Sequence, residues 1–167
     1  MIISQSINIK SCVVCFVHQG PNETTNYLND NLGHFHRYVY LTDGTLYTEV
    51  TKVDSGTPDI TYQLVPHELY DIDHSKGKYV KGVTSDIGST MVLFNPIPMD
   101  NDIKIEIVKD KQTLKIKATE RTSVVCISGS IEANGKTINN MQFATLPLNK
   151  TVTLNLEDGA ICAIVTG

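Results

Sequence analysis

Alternation of apolar and polar residues with a period of two dominates this chain, whereas the helical pattern of apolar residues at i, i+3 and i+4 almost never lasts two turns. In segments 113–118 and 151–156, every second residue is apolar. Such alternation is typical of strands with one buried face. We therefore expect an all-β protein, in which only the polar segment 22–31 is predicted as a short helix or a loop.

Turn signals recur about every eight to twelve residues, as in a sandwich or jelly roll. Asn134-Gly135 lies between two short strand patterns and predicts a two-residue hairpin, because both turn positions need positive φ. Further turns are predicted at Asp43-Gly44, Ser55-Gly56 and Asp158-Gly159.

Two prolines in the segment 95–98 interrupt the strand pattern, since proline cannot join a central ladder. We place a domain boundary there, between residues 1–98 and residues 99–167. All five histidines fall in the first part. This asymmetry suggests one functional unit and one supporting unit.

Charge and hydropathy exclude several classes of function. A formal net charge of −4 without a basic stripe argues against nucleic-acid binding. No segment approaches the roughly 20 apolar residues that span a bilayer. The first residues show no signal-peptide pattern, so a cytoplasmic protein is expected. No phosphate-cradling glycine motif appears, so no nucleotide cofactor is predicted.

The four cysteines, at positions 12, 15, 126 and 162, lie in apolar runs. Cys12 and Cys15 have the spacing of a redox or zinc motif, yet residues three apart on a strand point to opposite faces. We expect reduced, buried cysteines rather than a bridge or a zinc site.

His34 and His36 flank Phe35 on a predicted strand, so both imidazoles would project from one face. Paired imidazoles are a metal-ligand arrangement. Two other interpretations are open: the histidines hydrogen-bond inside a polar cavity, or they lie on a solvated face.

A hairpin at Asp43-Gly44 would bring a carboxylate to this pair. A two-residue turn fixes the register and would pair Tyr40 with Tyr47, Tyr38 with Glu49, and His36 with Thr51. Glu49 would then be a diagonal neighbour of His36, whereas a longer loop would move it away. Two imidazoles and a carboxylate with an open position suit Zn²⁺, Ni²⁺, Mn²⁺ or Fe²⁺.

Residues 33–44 resemble the first motif of the cupin superfamily, in which paired histidines precede a strand and a glycine turn. Tyr40 and Leu41 stand where the family's glutamate is expected. The second motif would fall at residues 66–71, with Asp71 at the position of the family's third histidine and His74 as the alternative. The resemblance covers roughly residues 30–95.

The resemblance implies a jelly roll of the double-stranded β-helix type, and strand patterns in residues 127–167 extend it to two compact barrels, a bicupin-like arrangement. Cupin-like proteins include metal-dependent dioxygenases, sugar isomerases and epimerases, and non-catalytic sugar-binding or storage proteins, so whether this chain is an enzyme stays open.

The leading hypothesis is a protein that binds a small polar ligand, such as a sugar or a carboxylate, at a divalent metal held by His34 and His36. Glu49 and either Asp71 or His74 would complete the metal site. The remaining predicted site residues would line the pocket or carry a proton: Tyr38, Tyr40, Tyr47 and His18. The rival hypothesis is a structural jelly-roll module that forms a homo-oligomer, such as a viral structural protein.

Overall fold

The computed structural model describes residues 2–29, 35–52, 57–74, 78–98 and 101–167. These residues form fifteen β-strands and no helix, as the period-two alternation predicts. None of the described segments therefore supplies an apolar helix of membrane-spanning length. The strands are β1 Ile2–Asn8, β2 Cys12–Gln19, β3 Thr24–Asn29, β4 Phe35–Lys52, β5 Pro58–Leu64, β6 Leu69–His74, β7 Lys78–Pro96, β8 Lys104–Lys109, β9 Gln112–Lys117, β10 Thr122–Ser128, β11 Ser130–Ala133, β12 Lys136–Asn139, β13 Phe143–Thr145, β14 Thr151–Leu156 and β15 Ile161–Thr166.

The chain divides into two compact units, Met1–Asn101 and Asp102–Gly167. The first unit contains a single sheet with the strand order β1-β2-β7-β4-β5, in which β3 also pairs with β7 and β6 also pairs with β4. Its two long strands, β4 and β7, are antiparallel and pair along most of their length. β4 therefore has β7 on one edge, and on the other edge it has β6 along its first half and β5 along its second.

An apolar cluster on one face of this sheet forms part of the core of the first unit. Val39 and Leu41 from the first half of β4 and Leu46 and Val50 from its second half all point into it. Burial of each such side chain contributes about 1.5–3 kcal/mol. The other buried members are Val17, Leu64, Ile72, Met91 and Leu93.

Asp43-Gly44 does not form the predicted hairpin. β4 runs through it without reversing, and the register with β7 shifts on either side of it, between Leu41 and Asp43 and between Gly44 and Leu46. Gly44 has φ 84°, and a Cβ there would overlap the carbonyl oxygen of Gly88. The glycine is therefore required by a bulge and a close approach of β7, since a bulge also favours glycine at positive φ.

The prediction of a helix or loop for residues 22–31 is wrong over Thr24–Asn29, which is strand β3. Pairing with β7, from Thr24 opposite Val83 to Asn29 opposite Lys78, supplies the ladder that local composition does not predict. The predicted turn at Ser55-Gly56 lies outside the described residues.

The second unit consists of two four-stranded sheets, with the orders β13-β10-β15-β8 and β12-β11-β14-β9. Both sheets contribute to one apolar core, which includes Val124 and Ile164 from the first sheet and Ile131 and Leu154 from the second. This is the two-layer arrangement of a β-sandwich.

Turn chemistry in the second unit agrees with the sequence. Asn134 and Gly135 have φ values of 46° and 83° and join β11 to β12 as a two-residue hairpin, so this prediction is confirmed. Gly159 has φ 77° in the turn between β14 and β15.

All four cysteines are free. Cys15 is half-buried and packs against the core cluster of the first unit, whereas Cys12 is fully buried and not part of that cluster, as expected for residues on opposite faces of β2. Burial raises the pKa of the Cys12 thiol to about 12, with a smaller contribution from Cys15.

Candidate functional site

The strand pair β4–β6 holds the predicted site residues that the structure brings closest together. Tyr38 lies opposite Asp71, and His36 lies opposite Asp73 in the register of this antiparallel pair. Asp71 is therefore a diagonal cross-strand neighbour of position 36. We call the side of this strand pair that carries Tyr38, Tyr40, Leu69 and Asp71, together with the adjoining His67, the β4–β6 face.

Glu49 does not join this group. Because β4 continues through Asp43-Gly44, Glu49 lies in the second half of the same strand as His36, opposite Thr61 of β5 and Lys81 of β7. The predicted pairing of Glu49 with Tyr38 is wrong, since the turn that would have folded the strand back is a bulge.

The three tyrosines predicted to line one pocket have different surroundings. Tyr38 and Tyr40 alternate with Val39 and Leu41, so they lie on the face opposite the core cluster. Tyr40 is fully buried, Tyr38 is half-buried, and Tyr47 is 41% exposed beyond the bulge. The predicted pairing of Tyr40 with Tyr47 is wrong, because Tyr47 lies opposite Gln63 and Val83.

His67 is a functional candidate that the sequence analysis does not single out. It lies in the exposed turn between β5 and β6 and has φ 68°, a left-handed conformation that is uncommon for any residue with a Cβ. Its backbone N–H donates a hydrogen bond to the carbonyl of Leu41 at 2.9 Å. The turn is thereby held against β4.

The imidazole of His67 meets the hydroxyl of Tyr40. The phenolic oxygen lies 3.2 Å from Nδ1, and the two ring planes are inclined by 57°. A fully buried aromatic residue thus has its polar end bonded to an exposed histidine. The sequence signal was weak, because Pro66-His67 alone gives no reason to place a histidine at positive φ.

A second hydrogen-bonded pair closes the same turn. The hydroxyl of Tyr70 donates to Oε2 of Glu68 at 2.7 Å and accepts from the backbone N–H of Val65 at 3.3 Å. Burial of the hydroxyl and the bond to Glu68 raise the pKa of Tyr70 above its usual value. Residues 65–70 therefore form an ordered turn with several polar groups.

His18 lies apart from this turn. It is exposed on β2, and its Nδ1 is 3.1 Å from Oγ1 of Thr90 on β7. Since β7 separates β2 from β4, His18 is two strands away from Tyr40. The structure does not bring it to the β4–β6 face as a proton carrier for that site.

The predicted metal site of His34, His36, Glu49 and either Asp71 or His74 does not form as a whole, because Glu49 lies in the second half of β4. His34 lies outside the described residues, and so do the side chains of His36 and His74. Where side chains are described, no group of three or more His, Cys, Asp or Glu residues could hold a metal ion. Asp71, the remaining predicted ligand, is exposed on β6.

The chain resembles known proteins in structure, but its sequence does not match theirs. No family model matches the chain, and no curated protein matches it. Among solved structures, YhaK from Escherichia coli is similar with a TM-score of 0.74 at 8% identity, over 98% of this chain and 93% of YhaK. A cupin 2 conserved barrel domain protein from Leptotrichia buccalis is similar with a TM-score of 0.58 at 13% identity, over 99% of this chain and 88% of that protein.

The chain has a cupin-like fold. AerE from Microcystis aeruginosa is also similar in structure, with a TM-score of 0.67 at 9% identity over 98% of this chain and 90% of that one. The cupin-like, jelly-roll part of the sequence-based prediction is confirmed. At these identities the likeness concerns the fold alone.

Proposed function

We propose that this chain is a cupin-like protein that binds a small polar molecule, such as a sugar or a carboxylate, at the β4–β6 face. The observation that supports this most directly is His67. Its left-handed φ is unfavourable by roughly 1–2 kcal/mol and is held by the bond to the Leu41 carbonyl. Ordered residues in such conformations cluster at ligand sites.

The chemistry of the face suits a polar ligand. The contact with Tyr40 engages Nδ1 of His67, which fixes the ring and directs ligand contacts to Nε2. With the Tyr40 hydroxyl as donor, the neutral ring carries its proton on Nε2 and donates a hydrogen bond there. The exposed carboxylate of Asp71 is an acceptor on the same face. A donor and an acceptor on one face match the hydroxyl pattern of a sugar.

Ligand-observed NMR with a panel of monosaccharides and small carboxylates tests the proposal. We expect saturation transfer to at least one class, and a loss of affinity of about tenfold or more, or 1.4 kcal/mol, in His67→Gly. Glycine keeps the positive φ and removes only the imidazole. Tyr47→Phe is the matched control, because Tyr47 lies beyond the bulge. Equal binding by His67→Gly and the parent protein would refute the site.

The metal form of the proposal adds a divalent ion held by His34 and His36, with Asp71 or His74 completing the site. Support comes from the β4–β6 register alone, which sets Asp71 diagonal to position 36. Metal analysis of untagged protein by mass spectrometry tests it. A bound transition metal that disappears in the double variant His34→Ala and His36→Ala is expected. Absence of metal from the parent protein would leave the metal-free binding site as the proposal.

The two-barrel, bicupin-like arrangement is also part of the proposal, with one barrel in each compact unit and a boundary near residue 98. An experimental structure of the full chain tests it. The structural-module alternative predicts a large symmetric assembly, which light scattering would detect. None of the structural neighbours named above is described as a viral or capsid protein.

A further inference from the structure

Cys126 and Cys162 face each other in the second unit. They are direct partners in the antiparallel pair β10–β15. Both thiols are fully buried, and both belong to the same apolar core. Two cysteines that share a face and a register position have adjacent side chains.

The backbone hydrogen bonds define the type of this pair. The N–H of Cys126 donates to the carbonyl of Gln142, and the carbonyl of Cys126 accepts from the N–H of Met141, both at 2.9 Å. Both polar groups of Cys126 are thus used on the side away from β15. Cys126 and Cys162 form a non-hydrogen-bonded pair.

This pair type suits a covalent bridge. Directly opposed residues in a non-hydrogen-bonded antiparallel pair have Cα atoms about 4.5 Å apart. A disulfide needs Cα atoms about 4.4–6.8 Å apart, with their Cβ atoms directed toward each other. A hydrogen-bonded pair holds the side chains farther apart. The β10–β15 register therefore provides the spacing that a disulfide requires.

The two cysteines of the first unit, Cys12 and Cys15, contrast with this pair. Cys12 and Cys15 are close in sequence, but they lie on opposite faces of β2, where only Cys15 packs against the core cluster. Residues on opposite faces of one strand cannot be bridged without breaking the strand. Of the two cysteine pairs, only Cys126 and Cys162 therefore have a strand register that a disulfide can bridge.

We propose that Cys126 and Cys162 are an oxidisable pair that closes into a cross-strand disulfide in the presence of a low-molecular-weight disulfide such as oxidised glutathione. One cysteine thiolate attacks a sulfur of the oxidant and displaces one molecule of glutathione. The second cysteine, as its thiolate, attacks the mixed disulfide and displaces the other. The protein loses two protons and two electrons, and one oxidised glutathione becomes two reduced molecules.

Burial controls the rate of this step. Since both thiols are buried in the apolar core of the closed unit, reaction requires local opening. Burial also raises the pKa of Cys126 to about 11 and that of Cys162 to about 12. Oxidation is therefore slow as long as the unit remains closed.

The test is equilibration of the reduced full chain in a mixture of reduced and oxidised glutathione, with urea below the unfolding transition so that the sheet opens and recloses. Remaining thiols are then blocked with N-ethylmaleimide in denaturant, and the chain is mapped by mass spectrometry. Of the four thiols, we expect two to be joined in a peptide pair containing Cys126 and Cys162, which leaves adducts on Cys12 and Cys15.

Two cysteine variants and the unfolding temperature of the oxidised protein serve as controls. Cys15→Ala should form the same bridge, and Cys162→Ala should form none. The oxidised parent protein should unfold at a temperature higher by on the order of 10 °C, because the bridge restricts the unfolded chain. Maleimide adducts on both Cys126 and Cys162, glutathione adducts without a bridge, or a different pairing would overturn the proposal.

Discussion

The hydroxyl of Tyr40, a residue with no exposed surface, lies 3.2 Å from Nδ1 of the exposed His67. This bond joins the face of β4 that carries Tyr40 to the turn between β5 and β6. Removing only the hydroxyl, in Tyr40→Phe, should lower the free energy of unfolding by about 1 kcal/mol. Urea denaturation measures this change.

Tyr47→Phe is the control for that substitution, because Tyr47 is 41% exposed on the same strand. It should change the free energy of unfolding by less than about 0.5 kcal/mol. In the His67→Gly background, Tyr40→Phe should lose part of its effect, since the partner is gone. Equal effects of Tyr40→Phe with and without His67 would contradict the bond.

Gly44→Ala should destabilise the first unit by about 3 kcal/mol or more. Its φ of 84° disfavours any Cβ, and the new methyl group would overlap the Gly88 carbonyl and lie 2.7 Å from Cα of Ser89. Gly135 has nearly the same φ, 83°, with nothing within 4 Å of the added Cβ. Gly135→Ala should therefore cost only about 1–2 kcal/mol. Thermal unfolding of both variants measures these losses of stability. Similar losses in Gly44→Ala and Gly135→Ala would show that the contact of Gly44 with β7 is unimportant.

Ser89→Ala should leave the protein as stable as before or more stable by about 1 kcal/mol. Ser89 is 3% exposed, and within the described part of the chain its Oγ has no hydrogen-bond partner. Thr84→Val is the contrast, because the Thr84 hydroxyl donates to the carbonyl of Gly20 at 2.6 Å. That variant should lose about 1–3 kcal/mol. A loss in Ser89→Ala as large as in Thr84→Val would reveal a partner for the hydroxyl.

Alkaline pH should weaken the fold through the buried thiols. Cys12, Cys126 and Cys162 have pKa values raised from 9.0 to about 12, 11 and 12. Below pH 9 these thiols are neutral in both states, and their contribution to stability is fully present. As the pH rises through 9 toward 11, the unfolded chain releases protons that the folded chain retains, so stability falls. Urea denaturation across this range should show a smaller decline in Cys162→Ala than in the parent protein; equal slopes would exclude this thiol as a cause.

Local chemistry predicted the parts of this fold that depend on neighbours in sequence. The period-two pattern predicted the strands, and Asn134-Gly135 predicted a hairpin whose two φ values are both positive. Asp43-Gly44 is the same kind of dipeptide, yet only its glycine has positive φ. What makes it a bulge is the approach of Gly88, which is distant in sequence, so the dipeptide alone could not distinguish bulge from hairpin.

The candidate site was less predictable for the same reason. Tyr40 was predicted as a pocket residue from its place after the paired histidines, but its partner His67 lies 27 positions away in a turn. The sequence placed Asp71 near the site by family resemblance, and the register of β6 against β4 sets it opposite Tyr38. Glu49 was misplaced because one wrong turn moves every residue beyond it.

Because β4 continues through the bulge, the number of residues in this strand determines which side chains of its second half face the core. Leu46 and Val50 reach the core only because the bulge at Asp43-Gly44 sets their phase relative to Val39 and Leu41. Deleting one residue at the bulge would invert the second half of the strand and turn its leucine and valine toward solvent. Lineages that keep this fold must therefore conserve the number of residues around Asp43-Gly44 as well as the glycine at position 44.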